Sequence, residues 1–215
     1  TGTKRPTFTF TTANTATIAV SADNISFTNC RVVANFLSIA AAFVLTTAKW
    51  FTLQGCAFTE TSGVLNLLNI VKSTGAANTV DGLTCTDNTY FGLGTTSANT
   101  FVLTANDIDG LMLKNNVIIH ARTTTAAALG IVTAGVLTNL IAMDNTGIYK
   151  GVADTGGAFI NVGGTTSSGV VARNYIGNLS TTDLFMTTSV ALTFFDNKKT
   201  GNTIQSGYLL PATDS

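Results

Sequence analysis

The stretch that decides the fold is Leu111-Met112-Leu113-Lys114-Asn115-Asn116-Val117-Ile118, in which every second residue is apolar up to a pair of asparagines. A period of two indicates a β-strand, and the asparagine pair indicates a turn. The pattern is apolar, any, apolar, any, polar turn residue, Asn or Cys, any, apolar. It predicts a short strand, a sharp turn and the start of another strand.

The same pattern recurs on both sides of this stretch. We use the last turn residue of each copy as its anchor, which is Cys in the first two copies and Asn in the others. The anchors are Cys30, Cys56, Asn88, Asn116, Asn145, Asn174 and Asn197. They recur about every 28 residues, a period typical of solenoids, in which each repeat stacks on the one before it.

A second β-like segment precedes most anchors by about 10–15 residues. These segments are 18–20, 43–46, 101–104, 130–133, 159–162 and 184–187. Short strands at this period fit the coils of a parallel β-solenoid, stacked about 4.8 Å apart. We predict an all-β, single-domain parallel β-helix of seven to eight coils over 15–205. Residues 1–14 are predicted to form an N-terminal arm or cap, and 206–215 a C-terminal strand or tail.

Stacking the coils places the anchors above one another. An inward asparagine can bond the backbone of its turn and the amides of the asparagines on either side. The predicted ladder is Asn88, Asn116, Asn145, Asn174 and Asn197. Cys30 and Cys56 extend the column as small buried thiols, and a disulfide between them is the alternative to free thiols. The competing interpretation of the column is that asparagine is simply common in turns.

The inward asparagine at a sharp turn, the period and the Thr-, Asn- and Gly-rich composition resemble the right-handed parallel β-helix superfamily. That superfamily includes pectate lyases, polygalacturonases and phage tailspikes. The resemblance covers most of the chain and implies a right-handed solenoid. It says little about function, because one fold hosts many functions. The Asp-Asp, His-Gly and Arg-x-Lys signatures of polygalacturonases are absent from the sequence.

The composition excludes several classes of protein. Eleven basic and eleven acidic residues give a net charge of zero, and only 10% of the 215 residues are charged while 45% are hydrophobic. A neutral chain without a basic stripe argues against nucleic-acid binding. No apolar run reaches the roughly 18 residues of a membrane-spanning helix, and 1–6 lacks the apolar segment of a signal peptide. The low charge indicates either that Thr and Asn cover the surface or that much of it is buried against other chains.

Residues that could carry chemistry are few. Asp107 and Asp109 resemble the opening of a calcium loop without its terminal Glu, so we interpret them as a coil-to-coil turn. Asp87 and Asp144 lie two coils apart, about 10 Å by stacking, slightly beyond the spacing of an inverting glycosidase pair. His120, the only histidine, is expected in a turn or at the surface. We predict no catalytic residues, no metal site and no cofactor.

Two outward columns change from polar to apolar along the solenoid. The column four residues before the anchor begins with Ser26, Thr52 and Thr84, and the column two residues before it begins with Thr28 and Gln54. From the fourth or fifth coil both become mostly apolar, which usually marks an interface. The predicted oligomer interface is Met112, Val117, Ile141, Met143, Val170, Ala172, Tyr175 and Phe195. The alternative is that a terminal segment or a long loop covers this strip.

The functional prediction rests on this strip and on the resemblance. Homo-oligomers generally have closed symmetry, and the likeness to phage β-helices implies a homotrimer. We predict a non-enzymatic structural protein of the virion surface, either a capsid decoration (cement) protein or a short fibre. Its partners would be itself and other virion proteins such as the major capsid protein, with no nucleic acid and no membrane. Two alternatives are a tailspike-like protein that binds or degrades surface polysaccharide, and an ice-binding β-solenoid with rows of Thr.

Overall fold

The structure is a computed structural model that describes residues 5–94, 100–121, 128–149, 158–177, 185–187 and 191–200, with only the backbone described at 185–187. Strands, turns and loops make up all of these residues, and none of them is helical. The predicted all-β class is therefore confirmed, as is the parallel β-solenoid, because every strand pair is parallel. The predicted tail at 206–215 lies outside the described residues.

Three long sheets run along the solenoid, and successive coils add one strand to each. Sheet 1 follows the anchor and contains β1 (Thr7–Phe10), β4 (Arg31–Ala34), β7 (Ala57–Glu60), β10 (Thr89–Gly92), β14 (Val117–His120), β18 (Thr146–Tyr149), β21 (Tyr175–Gly177) and β24 (Lys198–Lys199). Strand β1 falls within the segment predicted as an arm or cap, and it pairs with β4 as the first strand of the sheet.

Sheets 2 and 3 complete each coil. Sheet 2 contains β2 (Ile18–Val20), β5 (Phe43–Leu45), β8 (Asn69–Ser73), β11 (Thr100–Thr104), β15 (Ile131–Thr133), β19 (Ile160–Val162) and β22 (Phe185–Thr187). Sheet 3 precedes the anchor and contains β3 (Ser26–Thr28), β6 (Thr52–Gln54), β9 (Thr84–Thr86), β13 (Met112–Lys114), β17 (Leu140–Met143), β20 (Ser168–Ala172) and β23 (Ala191–Phe195). A small sheet pairs β12 (Ile108–Asp109) with β16 (Leu137–Thr138).

The six predicted second strands all lie in sheet 2, and their bounds agree with the structure to within one residue at each end. The prediction missed β8, because the connection from β8 to β9 is longer than the corresponding connection in the neighbouring coils and sets β8 further from its anchor, Asn88. The seven anchors share one column, since the residues that follow them pair in register from Arg31 to Lys198.

Fewer coils than predicted have an interior that is filled by buried side chains. Five consecutive coils, from the one that begins at β4 to the one that begins at β18, have a buried residue in each of their three strands. The number of filled coils is therefore about five rather than seven to eight. The terminal coils have a stacking neighbour on one side only, so inward side chains such as Phe10, Ile18 and Phe27 stay partly exposed.

The interior is a continuous apolar column. Near the N-terminal end it is built of stacked phenylalanines, with the ring centroid of Phe43 at 4.8 Å from Phe27, 5.5 Å from Phe51 and 6.3 Å from Phe58. Such tilted and edge-on contacts stabilise a core beyond the burial of the rings alone. Consecutive coils are thus joined by side-chain packing as well as by the parallel ladders of backbone hydrogen bonds.

The backbone turns at two corners in which non-glycine residues adopt positive φ. At the first corner, the residue before each anchor has φ between 52° and 62°: Asn29, Gly55, Asp87, Asn115, Asp144, Arg173 and Asp196. At the second corner, before sheet 3, φ lies between 54° and 75° at Asn24, Trp50, Gly82, Gly110 and Asn139. Glycine, asparagine and aspartate tolerate this conformation better than a bulky side chain does. Arg173 at the first corner and Trp50 at the second corner are the two exceptions.

Candidate functional site

The asparagine column lies inside the solenoid at the first corner. The side-chain amide of Asn116 donates to the carbonyl of Cys85 at 2.9 Å and to Oδ1 of Asn145 at 3.0 Å. Its own Oδ1 accepts from the backbone N–H and from the side-chain amide of Asn88, both at 3.0 Å. Asn116 is completely buried. Each of its polar atoms is thus satisfied by a neighbouring coil.

The same arrangement repeats along the column. Amide-to-amide hydrogen bonds of 2.9–3.0 Å connect Asn88, Asn116, Asn145, Asn174 and Asn197 in order. In every case the amide also donates to a carbonyl of the preceding coil. The first four are at most 1% exposed, and Asn197 is half-buried. The structure therefore brings all five together as one hydrogen-bonded chain of amides.

Cys56 takes the place of an asparagine at the N-terminal end of the column. Its Sγ donates to the carbonyl of Phe27 and accepts from the backbone N–H of Cys30, each at 3.4 Å, which are the two kinds of contact that the asparagines make. Its own N–H donates to Oδ1 of Asn88 at 2.9 Å. Cys30, Cys56 and Cys85 are buried free thiols, and burial raises the pKa of Cys56 and of Cys85.

Removal of a central amide tests what this column contributes. In Asn116→Ala, the backbone N–H and amide of Asn88, together with the carbonyl of Cys85, lose their partner in a buried site. We expect unfolding to become easier by on the order of 1–3 kcal/mol. The control is Asn14→Ala at an exposed asparagine, which should change stability little. Chemical denaturation followed by circular dichroism measures both, and equal stabilities for the two variants would contradict the role of the column.

The aspartates of the first corner lie along a groove on the outside of the solenoid. A cavity of about 460 Å³ is lined by Gln54, Thr86, Asp87, Met112, Lys114, Asn115 and Asp144. Asp87 accepts a 2.6 Å hydrogen bond from the amide of Asn115. Arg173 binds both carboxylate oxygens of Asp144, at 2.7 and 2.9 Å, and lowers the pKa of that carboxyl. This partner favours the ionised form of Asp144, whereas a general acid must hold a proton.

Asp107 and Asp109 connect neighbouring coils. Asp107 accepts from the N–H of Val136 at 2.7 Å, and Oδ1 of Asp109 accepts from the hydroxyl of Thr138 at 3.0 Å and from the amide of Asn139 at 2.7 Å. These side-chain hydrogen bonds lower the pKa of Asp109. Within the described ranges, no three His, Cys, Asp or Glu side chains are placed to hold a metal ion.

Glu60, the only glutamate, is a buried clamp that sequence reasoning did not identify. Its Oε1 accepts from the N–H of Leu67 at 2.9 Å and from the hydroxyl of Tyr90 at 2.7 Å. Its Oε2 accepts from the N–H of Leu93 and, at 2.9 Å, from that of Gly94. One carboxylate therefore fixes the segments that follow β7 and β10. The sequence does contain one indication of this role: the only Glu of the chain falls on an inward position of its strand.

His120 was expected in a turn or at the surface, and the structure places it inside β14 with no exposed area. The reason is the register with β10, which sets His120 beside Gly92. A Cβ on Gly92 would lie 1.8 Å from Cδ2 of His120, so the glycine leaves the room that the imidazole fills. The imidazole also packs near Tyr90, with the ring centroids 5.6 Å apart. Outward and inward positions alternate along β14, and this alternation was the missed signal.

The protonation of Glu60 gives a test of the clamp. Burial raises the pKa of this carboxyl more than its hydrogen bonds lower it. The folded protein then binds the proton more tightly than the unfolded chain, so the stabilisation is complete below the unfolded pKa of about 4.3 and is lost as the pH rises through the folded pKa. We expect the melting temperature of the wild type, relative to that of Glu60→Gln, to increase as the pH falls from 7 to 4.5. A constant difference across that range would overturn this assignment.

The two outward columns of sheet 3 have the predicted register. Ser26, Thr52, Thr84, Met112, Ile141, Val170 and Thr193 are cross-strand neighbours in that order. The apolar members Met112, Ile141, Met143, Val170 and Phe195 are half-buried. Ala172 differs from the expectation, because it is fully buried between its column neighbours Met143 and Phe195. In the adjoining sheet 1, Val117 is half-buried and Tyr175 is 40% exposed.

Other exposed apolar side chains lie outside the predicted strip. They are Phe8, Leu37, Trp50, Val64, Phe91 and Leu93. Val64 and Leu93 lie in the segments that Glu60 holds, and the carbonyl of Val64 accepts from the N–H of Ser38, next to Leu37. Residue type alone did not single out these positions, because the loops around them do not follow the repeat.

Comparison with known proteins identifies no relative of this chain. No family model, no curated protein and no solved structure matches this chain significantly. In the part of the chain that the structure describes, no helix is long and apolar enough to cross a membrane.

Proposed function

We propose that this chain is a non-enzymatic structural protein that forms a homotrimer through the outer face of sheet 3. The observation that carries the proposal is the apolar strip on four adjacent strands, β13, β17, β20 and β23. Met112, Ile141 and Val170 stack in one column of the strip, and Met143 and Phe195 lie in the other, on either side of the buried Ala172. A contiguous apolar surface of this kind usually marks a protein interface.

The charge distribution supports this choice of face. Lys114 is the only charged residue in the two columns, and it lies at the edge of the strip, where the groove of the first corner begins. The charges nearest to the strip lie at the first corner, where Asp144 and Arg173 pair with each other. An interface with an apolar centre and a polar rim fits this arrangement. Three such faces around one axis would satisfy the closed symmetry of most homo-oligomers.

The structural role also fits the interior. Buried amides, stacked aromatic rings and parallel strands join each coil to the next, so the protein forms a stiff scaffold. We place this scaffold on the surface of a virus particle, as a capsid decoration protein or a short fibre, by analogy with phage β-helices. Its further partner would be another virion protein, such as the major capsid protein. Mass spectrometry of purified particles tests this location, which requires the chain to be a stoichiometric component.

Charge insertion into the strip tests the interface. Ile141→Asp or Met143→Asp places a carboxylate inside the apolar contact, where burial of an unpaired charge is strongly unfavourable. We expect either variant to shift the trimer to monomer or aggregate while the β-sheet circular dichroism signal persists. Light scattering coupled to size-exclusion chromatography measures the mass.

The matched control is Thr52→Asp. Thr52 is half-buried and outward in the same column as Ile141, at the polar end of sheet 3. This variant should keep the wild-type mass. A monomeric wild type, or a trimer that survives both Ile141→Asp and Met143→Asp, would show that this face is not the interface.

A further inference from the structure

The outer face of sheet 1 adjoins the apolar strip of sheet 3. Only the left-handed corner residue and the anchor separate a strand of sheet 3 from the strand of sheet 1 that follows it, so β13 ends at Lys114 and β14 begins at Val117. The two outer faces therefore meet at the first corner with no loop between them. Val117 and Tyr175 of the predicted interface already lie on the sheet 1 side of this corner.

The outer face of sheet 1 carries no charge over five consecutive strands. Inward and outward residues alternate along each strand, and no outward residue from β7 to β21 is charged. The charged outward residues Arg31 and Lys198 lie beyond these strands, on β4 and β24. Phe91, Ile119 and Ile148 are neighbours in one column of the face. Sheet 1 thus presents a second apolar surface beside the strip.

Apolar side chains lie on both sides of the first corner at the same height. Each strand of sheet 3 leads directly into a strand of sheet 1, so β13 and β14, β17 and β18, and β20 and β21 form three successive levels. The outward apolar residues at these levels are Met112 and Ile119, Ile141 and Ile148, and Val170 and Tyr175.

Positions along the strands also correspond. Ile141 lies four residues before the anchor Asn145, and Ile148 lies three residues after it, so both side chains stand at a similar distance from the corner. In a ring of three chains, each chain meets its two neighbours through two different patches, because such an interface is heterologous. Rotation about an axis parallel to the solenoid leaves the height of every residue unchanged. Residues of one level therefore meet residues of the same level in the next chain.

We propose that, in the trimer, the apolar strip of sheet 3 packs against the outer face of sheet 1 of the next chain, with the first corner directed towards the threefold axis. This inference rests on the proposed trimer and names the surface that covers the strip. It adds Ile119 and Ile148 to the interface. Asp144 and Arg173 form an ion pair at this corner, so three copies of it can approach the axis with little net charge.

Sheet 2 is the other face that borders sheet 3, and it suits this role less well. It is joined to sheet 3 by a longer connection, such as the one from β11 to β13. Lys72 interrupts its outward column between Val44 and Leu103. Burial of an unpaired ammonium group in an apolar contact is unfavourable, whereas sheet 1 offers a face without such a group.

Charge insertion into sheet 1 tests this contact. Ile148→Asp leaves the strip intact and places a carboxylate on the half-buried surface opposite it. We expect the mass in light scattering to fall from three chains to one, while the β-sheet signal in circular dichroism persists. The control Thr9→Asp places the same charge at the exposed far end of the same column and should remain trimeric.

Cross-linking tests which faces meet, and it decides the question if Ile148→Asp does not fold. The double variant Ile141→Cys/Ile148→Cys, treated with a short bis-maleimide, should give covalent trimers on a denaturing gel. Either single variant should stay unlinked, because identical residues do not face each other. The treated wild type should also stay unlinked, since its three native thiols are buried.

The outcomes separate this inference from the proposed trimer. A trimeric wild type whose Ile148→Asp variant stays trimeric would overturn the inference and leave the trimer in place. Cross-linking of the single variant Ile141→Cys, or a double variant that stays unlinked, would do the same. A monomeric wild type would overturn both proposals.

Discussion

The structure depends on one requirement: the side-chain amide of a buried asparagine can make four hydrogen bonds, and each of them must find a partner inside the protein. Asn116 is completely buried, and four of its side-chain hydrogen bonds run to the coils on either side. A shift of one residue in any coil would turn the asparagine outward and leave those partners unpaired, because inward and outward positions alternate along a strand. The amide column therefore holds the register of the whole solenoid.

This inner constraint leaves the outer faces free to differ. The N-terminal half of sheet 3 presents Ser26, Thr52 and Thr84, whereas the C-terminal half presents Met112, Ile141 and Val170. Both halves share the same interior architecture. Charges are concentrated at the corners, where Asp144 meets Arg173 and Lys49 meets Asp81. The outer side chains can thus differ from coil to coil without disturbing the packing of the core.

The features that repeat locally could be predicted from the sequence, and those that arise in loops could not. The anchors and the second strands recur with a short pattern, so their columns and bounds agree closely with the structure. Strand β8, the Glu60 clamp and the burial of His120 depend on connections of irregular length or on register. The second corner could have been predicted, because the residue six positions before each of the first five anchors occupies it: Asn24, Trp50, Gly82, Gly110 and Asn139. The number of filled coils depends on how far the side chains at the two ends of the solenoid are exposed, which a count of sequence repeats does not show.

The amide column also governs how such a protein can change in length over evolution. The side-chain hydrogen bonds of each asparagine reach no further than the coil before it and the coil after it, so a complete extra repeat would find the same partners as the existing ones. Duplication or loss of a whole coil preserves every hydrogen bond except those at the new junction, whereas a partial coil breaks the column. Cys56 marks the point at which the amide chain gives way to thiols while the backbone contacts continue. Solenoids of this type would therefore differ among descendants by integral numbers of coils, with sequence drift concentrated on the outside.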